Sequence, residues 1–449
     1  MRKNDEIILE ITDVTAEGSG VGRYEGMAVF VPLTAVGDKA KVLILKVKKN
    51  YAYGKLIELI EASADRIEND CSVFARCGGC VSRHISYEKE CEIKENHVKN
   101  CIKRIGKIDL LPQKIIPAVK SVGYRNKAQY PVSQNGKFGF FATHSHRVIE
   151  CSNCFLQPEE FFAICAIVEK CISDYNISIY NEETHSGVFR HLYLRKGEKT
   201  DEIMVVFVIN GEKLEHSEEI VAKLLKAFPE KIKSIQLNIN REDTNVILGD
   251  KCVVLYGENH ITDIICGVTV RISPLSFYQV NRDMAEILYK KAAEYGRVEG
   301  KRVIDLYCGT GTIGLSMAKF AQKVIGVEIV DAAVCDAKIN AEVNGFKNAE
   351  FICGDASAAA QELALRGEKA DVVLLDPPRK GCDKALLETV ARDFTPERVV
   401  YISCDPATLA RDAAELQSLG YILKEYTPVD LFPRTAHVET VVLMSRKDK

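Results

Sequence analysis

The 449-residue sequence has no apolar run long enough to cross a membrane and no large excess of charge. A membrane helix needs roughly 18 to 20 consecutive apolar residues. The net charge is −3, so any nucleic-acid-binding surface must be a local patch. The first six residues, Met-Arg-Lys-Asn-Asp-Glu, open no apolar segment of the kind found in signal peptides. We therefore expect a cytoplasmic protein without membrane segments.

Internal repeats, low-complexity segments and long linkers of proline, glycine and serine are also absent from the sequence. The length exceeds what one hydrophobic core usually fills, which indicates two or three domains. We predict three, at residues 1–62, 63–262 and 263–449, and we expect a monomer. The sixteen cysteines should be mostly reduced in a cytoplasmic protein.

The first 62 residues alternate short apolar and β-branched runs with glycine-containing turns, which predicts a small OB-like β-barrel. Between Lys39 and Lys55 there are six lysines and no acid, together with Tyr51 and Tyr53. Basic and aromatic residues on a small barrel suit contacts with RNA phosphates and bases. The alternative is a solvated face whose lysines protect strand edges. These residues alone leave both interpretations open.

Three cysteines follow at the spacing of a metal site: Cys71, Cys77 and Cys80, with Gly-Gly before the third. A fourth candidate is Cys154 or, three residues earlier, Cys151. Four thiolates suit either a zinc ion or an iron–sulfur cluster. The local spacing does not choose between these metals, and unligated thiols are the alternative.

Residues 84–106 have the apolar periodicity of a helix, and this helix can pack on the C-terminal domain. Its other side is basic, and solvation is the simplest account of these charges, which are Lys94, Lys99, Lys103, Arg104 and Lys107. The following residues, up to about 260, predict a mixed α+β domain. Arginines and asparagines recur there near expected turns, including Arg190, Arg195, Asn238 and Asn240. Such side chains are typical of surfaces that bind RNA, although each alone is more typical of an ordinary surface or capping group.

From about residue 265 onward, strands and helices alternate, which predicts a doubly wound parallel sheet of the Rossmann type. The predicted strands are 302–306, 323–328, 350–352, 371–375 and 399–402, with two more at the end. The predicted helices include 283–296, 312–321, 331–344 and 406–419.

A glycine-rich loop begins this region at Gly309, with the spacing G-x-G-x-x-G between a strand and a helix. Glu328 lies where a ribose-binding acid belongs, and Asp355 lies past the third strand, where an acid can reach an adenine. The loop alone fits either a dinucleotide or S-adenosylmethionine. Asp376-Pro-Pro-Arg379 after the fourth strand favours a methyltransferase, because that order of motifs resembles Rossmann-type methyltransferases.

Cys404 follows the predicted strand 399–402 at its carboxyl end, the sheet edge where open α/β folds bind ligands. A cysteine is more often a small core residue, but this one shares the C-terminal region with Asp376 and Glu439. Arg379 stands where methyltransferases acting on base amino groups usually have an aromatic residue, which favours a carbon target. A thiolate that adds to C6 of uracil makes C5 nucleophilic. A base must then remove the C5 proton, and Glu439 is the candidate.

Several motifs together resemble the RNA uracil-5-methyltransferase family from end to end. They are Asp-Leu-Tyr-Cys-Gly-Thr-Gly at 305–311, Asp-Pro-Pro-Arg-Lys-Gly at 376–381, Ser-Cys-Asp-Pro-Ala-Thr-Leu-Ala-Arg-Asp at 403–412, His-Val-Glu-Thr at 437–440 and Ile-Ser-Pro-Leu-Ser-Phe-Tyr-Gln-Val-Asn at 272–281. The resemblance implies a TRAM RNA-binding domain at the start and a methyltransferase domain at the end. It implies that Cys404 is the nucleophile and Glu439 the base.

The same resemblance implies the ligand sites and the substrate class. S-adenosylmethionine is expected to bind Gln279, Tyr307, Glu328 and Asp376. A four-iron, four-sulfur cluster is expected on Cys71, Cys77, Cys80 and Cys154, which selects Cys154 over Cys151. The TRAM-like start, the cysteines and the sequences at 124–129 and 139–141 resemble the branch that methylates 23S ribosomal RNA. Methylation of tRNA is the alternative. A dehydrogenase and a non-catalytic RNA-binding protein are more distant ones.

Overall fold

The computed structural model describes residues 1–143 and 145–447. The chain begins with five strands: β1 (Glu6–Val14), β2 (Gly20–Tyr24), β3 (Met27–Val31), β4 (Lys39–Val47) and β5 (Tyr51–Glu61). They close into a barrel of order β1-β2-β3-β5-β4, which confirms the predicted OB-like fold. Alternate side chains such as Leu9, Val29 and Val42 fill its interior. Gly22 is required where β2 crosses β1, because a Cβ there would lie 2.4 Å from the carbonyl oxygen of Glu10.

The middle of the chain folds around a five-stranded sheet of order β12-β11-β10-β9-β6. The elements of this part of the chain are β6 (Lys127–Pro131), β7 (Gly139–Phe141), β8 (Val148–Glu150), α2 (Glu159–Asp174), β9 (Phe189–Lys196), β10 (Ile203–Ile209), α3 (Ser217–Ala227), β11 (Ile232–Ile239) and β12 (Lys251–Gly257). Strands β7 and β8 pair only with each other. Helices α2 and α3 cover one face, where Phe161 and Leu224 pack in the core. On the other face, Tyr193 and Val206 belong to a core shared with the C-terminal part of the chain.

The C-terminal part forms a seven-stranded sheet with helices on both faces. The elements of this part of the chain are β13 (Ile261–Ile265), β14 (Val268–Ile272), α4 (Arg282–Gly296), β15 (Arg302–Leu306), α5 (Thr312–Ala318), β16 (Lys323–Glu328), α6 (Asp331–Val343), β17 (Ala349–Cys353), α7 (Ala356–Leu365), β18 (Val372–Leu375), α8 (Lys384–Thr389), β19 (Arg398–Ser403), α9 (Pro406–Ser418), β20 (Tyr421–Val429) and β21 (Glu439–Arg446). Strands β13 and β14 form a separate hairpin. A π-helical turn, Val390–Phe394, extends α8.

The strand order β17-β16-β15-β18-β19-β21-β20 confirms the predicted Rossmann-type sheet. Only β21 runs antiparallel to its neighbours β19 and β20. The predicted helix 312–321 ends earlier, at Ala318, because the chain turns there toward β16. No helix among the described residues is both long and apolar enough to span a bilayer.

Helix α1 (Tyr87–Arg104) precedes the central sheet in sequence but packs against the C-terminal domain. Ser86 caps it by accepting a hydrogen bond from the backbone N–H of Lys89. Val98 and Ile102 pack in one core with Leu409 of α9. The helix is shorter at both ends than the predicted 84–106.

Lys94 does not lie on the solvated side of α1, so that part of the prediction is wrong. It is buried and donates hydrogen bonds to the carboxylates of Glu90 and Asp430, both at 2.7 Å, and to the carbonyl of Phe432 at 3.1 Å. A buried charge is tolerated when it is paired and hydrogen-bonded in this way. The network fixes α1 to the segment between β20 and β21.

Two of the arginines considered for RNA contact are also internal. Arg195 is buried and donates to the carbonyl of Ser276 and to the Tyr193 hydroxyl. Arg190 is buried and donates to the carbonyls of Asn240 and Glu242. These side chains hold backbone in place and leave no guanidinium free for a phosphate.

Candidate active site

The carboxyl ends of three neighbouring parallel strands meet at one edge of the seven-stranded sheet. Strands β15, β18 and β19 are adjacent and pair in register. Tyr307 follows β15, Asp376 follows β18 and Cys404 follows β19. Because ligands of open α/β sheets bind at this edge, the fold brings three of the predicted site residues into one region.

Glu439 reaches the same edge from the opposite chain direction. It is the first residue of β21. Thr440 pairs with Ser403 across the antiparallel β19–β21 ladder. Cys404 and Glu439 are the residues next to that pair, and the Glu439 charge acts on the Cys404 thiol. An antiparallel last strand is what allows a strand's beginning to lie beside the carboxyl ends of the others.

Burial and mutual charge perturb the acid–base groups of this region. Burial, followed by the charge of the nearby Asp376, raises the pKa of Glu439 to about 8, although Arg379 acts in the opposite direction. Burial also raises the pKa of Asp376 to about 7. Burial, followed by Glu439 and Asp376, raises the pKa of the Cys404 thiol to about 11. Cys404 is therefore a thiol at neutral pH, flanked by two carboxyl groups that titrate near neutrality.

Arg379 is exposed and supplies positive charge to the site. Its Nη2 atom lies 3.3 Å from Nε2 of His437, two residues before Glu439. Burial and the Arg379 charge lower the pKa of His437, so the imidazole is neutral at neutral pH. The guanidinium keeps most of its donors available for a ligand.

A buried carboxylate on α9 holds the loop that carries Asp376 and Arg379. Asp412 accepts hydrogen bonds from the Tyr401 hydroxyl at 2.6 Å and from the backbone N–H of Cys382 at 2.8 Å. Arg411 donates to the second Asp412 oxygen at 2.8 Å. Gly381 has a φ of +76°, and a Cβ there would lie 2.5 Å from the Asp412 carboxylate. The sequence contained this aspartate within a motif but gave it no role.

We expect Asp412→Asn to destabilise the protein, because the amide cannot satisfy the same donors. The free energy of unfolding should fall by about 1 to 3 kcal/mol, the cost of weakened buried hydrogen bonds. Urea unfolding followed by circular dichroism measures this change. Asp393→Asn is the control, since Asp393 is exposed on the turn after α8. Equal unfolding midpoints for the two variants would show that Asp412 does not hold the loop.

The glycine-rich loop forms an open cradle at the edge of the sheet where β15, β18 and β19 end. Gly309 and Gly311 have φ values of +54° and +80°. A Cβ at Gly309 would meet no atom within 4 Å, so space lies above it, whereas a Cβ at Gly311 would press on the Phe351 ring at 2.8 Å. The Glu328 carboxylate accepts the backbone N–H of Gly309 at 3.1 Å. This acid is thus fixed beside the loop, where a ribose would lie.

The remaining predicted cofactor residues lie at the ends of strands and helices or between them. Asp355 caps α7, and one of its oxygens accepts the backbone N–H groups of residues 357 and 358. Gln279 is buried on the segment between β14 and α4. Tyr307 has a φ of +69°, and burial raises the pKa of its hydroxyl above the usual range. A non-glycine residue in this conformation is uncommon and often occurs at functional sites.

A second cavity, of about 240 Å³, collects cysteines from two separated segments. Cys71, Cys77, Cys80, Cys151 and Cys154 all line it. Burial, followed by the charges of neighbouring cysteines, raises the pKa of Cys80 to about 12 and that of Cys154 to about 11. The described residues contain no set of three or more His, Cys, Asp or Glu side chains arranged to hold a metal ion.

Comparison with known families decides the identity. A family model described as tRNA (Uracil-5-)-methyltransferase matches residues 88–447, and a TRAM domain model matches residues 3–57. The chain belongs to the tRNA (uracil-5-)-methyltransferase family. The predicted membership in a uracil-5-methyltransferase family, with an N-terminal TRAM domain and an S-adenosylmethionine-dependent fold, is confirmed.

Similar proteins match this chain over its whole length. Proteins described as uncharacterized RNA methyltransferases from Clostridium tetani and Halalkalibacterium halodurans are each 43% identical. The alignments cover 99% and 100% of this chain and 97% and 98% of the relatives. The solved structure of Pyrococcus abyssi tRNA (uracil-54, C5)-methyltransferase with S-adenosyl-L-homocysteine is 27% identical, with a TM-score of 0.81. That match covers 97% of this chain and 99% of the other.

Sequence reasoning missed the groups that support this methyltransferase site from outside. The Lys94–Asp430 ion pair and the bonds from Asp412 join residues far apart in the chain. Their signal was weak: a lysine on the apolar side of α1, and an Arg-Asp pair after the cysteine motif. A charged residue at a position of core periodicity was the sign that could have revealed Lys94.

Proposed function

We propose that this enzyme transfers a methyl group from S-adenosylmethionine to C5 of a uridine in 23S ribosomal RNA. One observation carries the chemistry: Cys404 and Glu439 adjoin the last pair of the β19–β21 ladder, and the charges of Glu439 and Asp376 both act on the Cys404 thiol. A nucleophile facing a base across the target is the arrangement that C5 methylation needs. The ribosomal branch rests on the resemblance of the cysteine set and of residues 124–129 and 139–141.

A uridine in tRNA is the second candidate substrate. The matching family model carries tRNA in its description, and the Pyrococcus abyssi enzyme is named for uracil-54 of tRNA. The C5 chemistry would be unchanged, because both substrates present the same base. The distinction therefore lies in RNA recognition and not in Cys404 or Glu439.

In the proposed reaction, Cys404 loses its proton and its sulfur bonds to C6 of the uracil. Asp376 is the acceptor of that proton, because its pKa of about 7 leaves part of it ionised at neutral pH. Adding the thiolate breaks the C5–C6 double bond and moves the electron pair toward O4. S-adenosylmethionine, when bound, would supply the electrophilic methyl group that C5 takes, and S-adenosylhomocysteine would be the leaving group.

Glu439 completes the proposed reaction. Its carboxylate removes the C5 proton, and the released electron pair restores the C5–C6 double bond. The Cys404–C6 bond breaks in the same step, and the thiolate recovers its proton from Asp376. Glu439 then gives its proton to solvent, so the site returns to its starting state. Arg379 is placed to bind the uracil or its phosphate.

Residues around the cradle would hold S-adenosylmethionine. We propose that Glu328 binds the ribose hydroxyls, Asp355 the adenine, and Gln279, Tyr307 and Asp376 the remaining part near the methyl group. Gly309 lets the backbone approach the ligand, since no side chain of its own fills the open space above it.

We propose that Cys71, Cys77, Cys80 and Cys154 hold a four-iron, four-sulfur cluster. The fit rests on one cavity of about 240 Å³ lined by all four. Arg83, Arg125 and Lys127 lie beside the thiols and would balance the negative charge of thiolate ligands. Iron–sulfur clusters take their protein ligands from cysteine thiolates. The cluster's chemistry is not needed for any step at Cys404.

The fifth cysteine in the cavity offers a matched control for the cluster. We expect Cys154→Ser to lose most bound iron and Cys151→Ser to keep it, because only the first removes a proposed ligand. Iron and acid-labile sulfide should be measured on protein purified without oxygen. Retention of iron by both variants would be evidence against the ligand set. One zinc per chain in the wild type would replace the cluster by a zinc site.

The barrel is the proposed first contact for RNA. Lys39 and Lys41 pair with Glu61 and Glu6, which leaves the other four lysines of the group for phosphates. The rings of Phe30, Tyr51 and Tyr53 form a cluster with centroids 5.5 to 5.9 Å apart. Exposed aromatic rings are platforms for unstacked bases.

We also propose that the chain has three domains, at 1–62, 63–262 and 263–449, and that the protein is a cytoplasmic monomer.

The substrate experiment is methyl transfer from labelled S-adenosylmethionine into 23S rRNA and, separately, into bulk tRNA. 5-Methyluridine in 23S rRNA alone supports the main proposal, and label in tRNA alone supports the second. No 5-methyluridine in either RNA would contradict both and favour a non-catalytic RNA-binding protein.

A further inference from the structure

A cleft between the barrel and helix α1 has no role in the proposed chemistry. Its volume is about 490 Å³. Barrel residues 12–16 and 34–36 form one wall, and α1 forms the other. Thr435 and Ala436, shortly before Glu439, also line it. The cleft therefore joins the RNA-binding barrel to the segment that leads into the proposed catalytic base.

The α1 wall of the cleft carries a stripe of unused polar side chains. Asn96, Asn100 and Arg104 follow one another at four-residue spacing, so they share one face of the helix. All three are exposed, and none makes a side-chain hydrogen bond or ion pair with another described residue. His97 and Cys101, beside this stripe, lie close enough to Asp405 to feel its charge. Asp405 directly follows Cys404, so the stripe approaches the catalytic edge.

The charges along the cleft favour an uncharged occupant over a phosphate. Glu92 pairs with Lys89 at 3.0 Å, and Asp65 with the same lysine at 3.5 Å. Glu90 pairs with Lys94. These carboxylates leave little net positive charge to attract an RNA backbone. The cavity also exceeds the size of a single base, and much of its lining is apolar.

We propose that this cleft binds an unstacked base of the RNA substrate, near the target uridine in the RNA chain, and that Asn96 and Asn100 recognise its edge. The inference deepens the proposed function and rests on it. A side-chain amide offers both donors and an acceptor, which is what a base edge requires. Sequence-specific recognition of RNA uses unstacked bases in this way. The barrel lysines then bind the flanking phosphates.

The test is the double variant Asn96→Ala/Asn100→Ala, with Glu88→Ala as the matched control. Both amides are exposed, and alanine favours helix, so the fold should be retained. Glu88 is exposed on α1 outside the cleft. We expect KM for the methylated RNA to rise about tenfold in the double variant, from two lost hydrogen bonds. The kcat at saturating RNA and KM for S-adenosylmethionine should stay within about twofold, as remote binding contacts predict.

Dimethyl sulfate footprinting gives an independent readout. Wild-type protein should protect one unpaired adenine or cytosine of the RNA near the target, and the double variant should lose that protection while Glu88→Ala keeps it. An unchanged KM for RNA, or the same footprint in all three proteins, would overturn the base-binding cleft. The proposed function is tested separately, because wild-type protein that forms no 5-methyluridine would fail before any comparison of variants.

Discussion

Cys404→Ala is expected to abolish methyl transfer, with a fall in the initial rate of at least about 10⁴-fold. Alanine cannot form the bond to C6, and without that bond C5 of uracil is not nucleophilic enough to take a methyl group. RNA binding should change less than about threefold, because the thiol is a small part of a large contact. The measurement is the initial rate of label transfer into the accepted RNA, with filter binding alongside.

RNA containing 5-fluorouridine separates a covalent role from a packing role for Cys404. A base cannot remove fluorine from C5 as it removes the proton, so wild-type protein should accumulate an RNA adduct that survives denaturation. Cys404→Ala should form none, whereas Cys335→Ala, at an exposed thiol on α6, should behave as the wild type. A Cys404→Ala protein with near-wild-type rate would refute the covalent mechanism.

The fold was predictable where local pattern and global structure agree. Apolar runs such as residues 302–306 and 323–328 became strands with the predicted bounds, since buried parallel strands leave a continuous hydrophobic signal. The glycine cradle was predictable for a similar reason, because Gly309 and Gly311 adopt backbone conformations that favour glycine.

Contacts between distant parts of the chain were not predictable. Asp412 lies thirty residues from Cys382, and Lys94 lies 336 residues from Asp430. The hydrophobic periodicity of a sequence does not indicate which distant residues pair with each other. The antiparallel direction of β21 was equally hidden, because a strand's residue pattern is the same in both directions. Yet that direction is what brings Glu439 to the same edge as Cys404.

Glu439→Gln is expected to stall the enzyme after one methyl transfer. The amide has nearly the shape of the carboxyl group but cannot accept the C5 proton, so the adduct cannot resolve. The steady-state rate should fall about 10³-fold, within the range of a lost general base. A denaturing gel should show labelled methyl in a protein–RNA band near one per enzyme. A variant that turns over normally, or that transfers no methyl at all, would refute Glu439 as the C5 base.

The pH dependence separates Glu439 from Cys404. The pKa of Glu439 is raised to about 8, and only its ionised form is a base, so wild-type turnover should level off above pH 8 and fall about tenfold per pH unit below it. Below about pH 7 the fall should become steeper, because Asp376, the proposed acceptor of the thiol proton, is then protonated as well. The single burst of Glu439→Gln reports the thiol step alone. Removing the Glu439 charge removes one cause of the raised Cys404 pKa, so this burst should move to lower pH than in the wild type. Coincident profiles for burst and turnover would mean that one group controls both steps, and Glu439 would then not be the base.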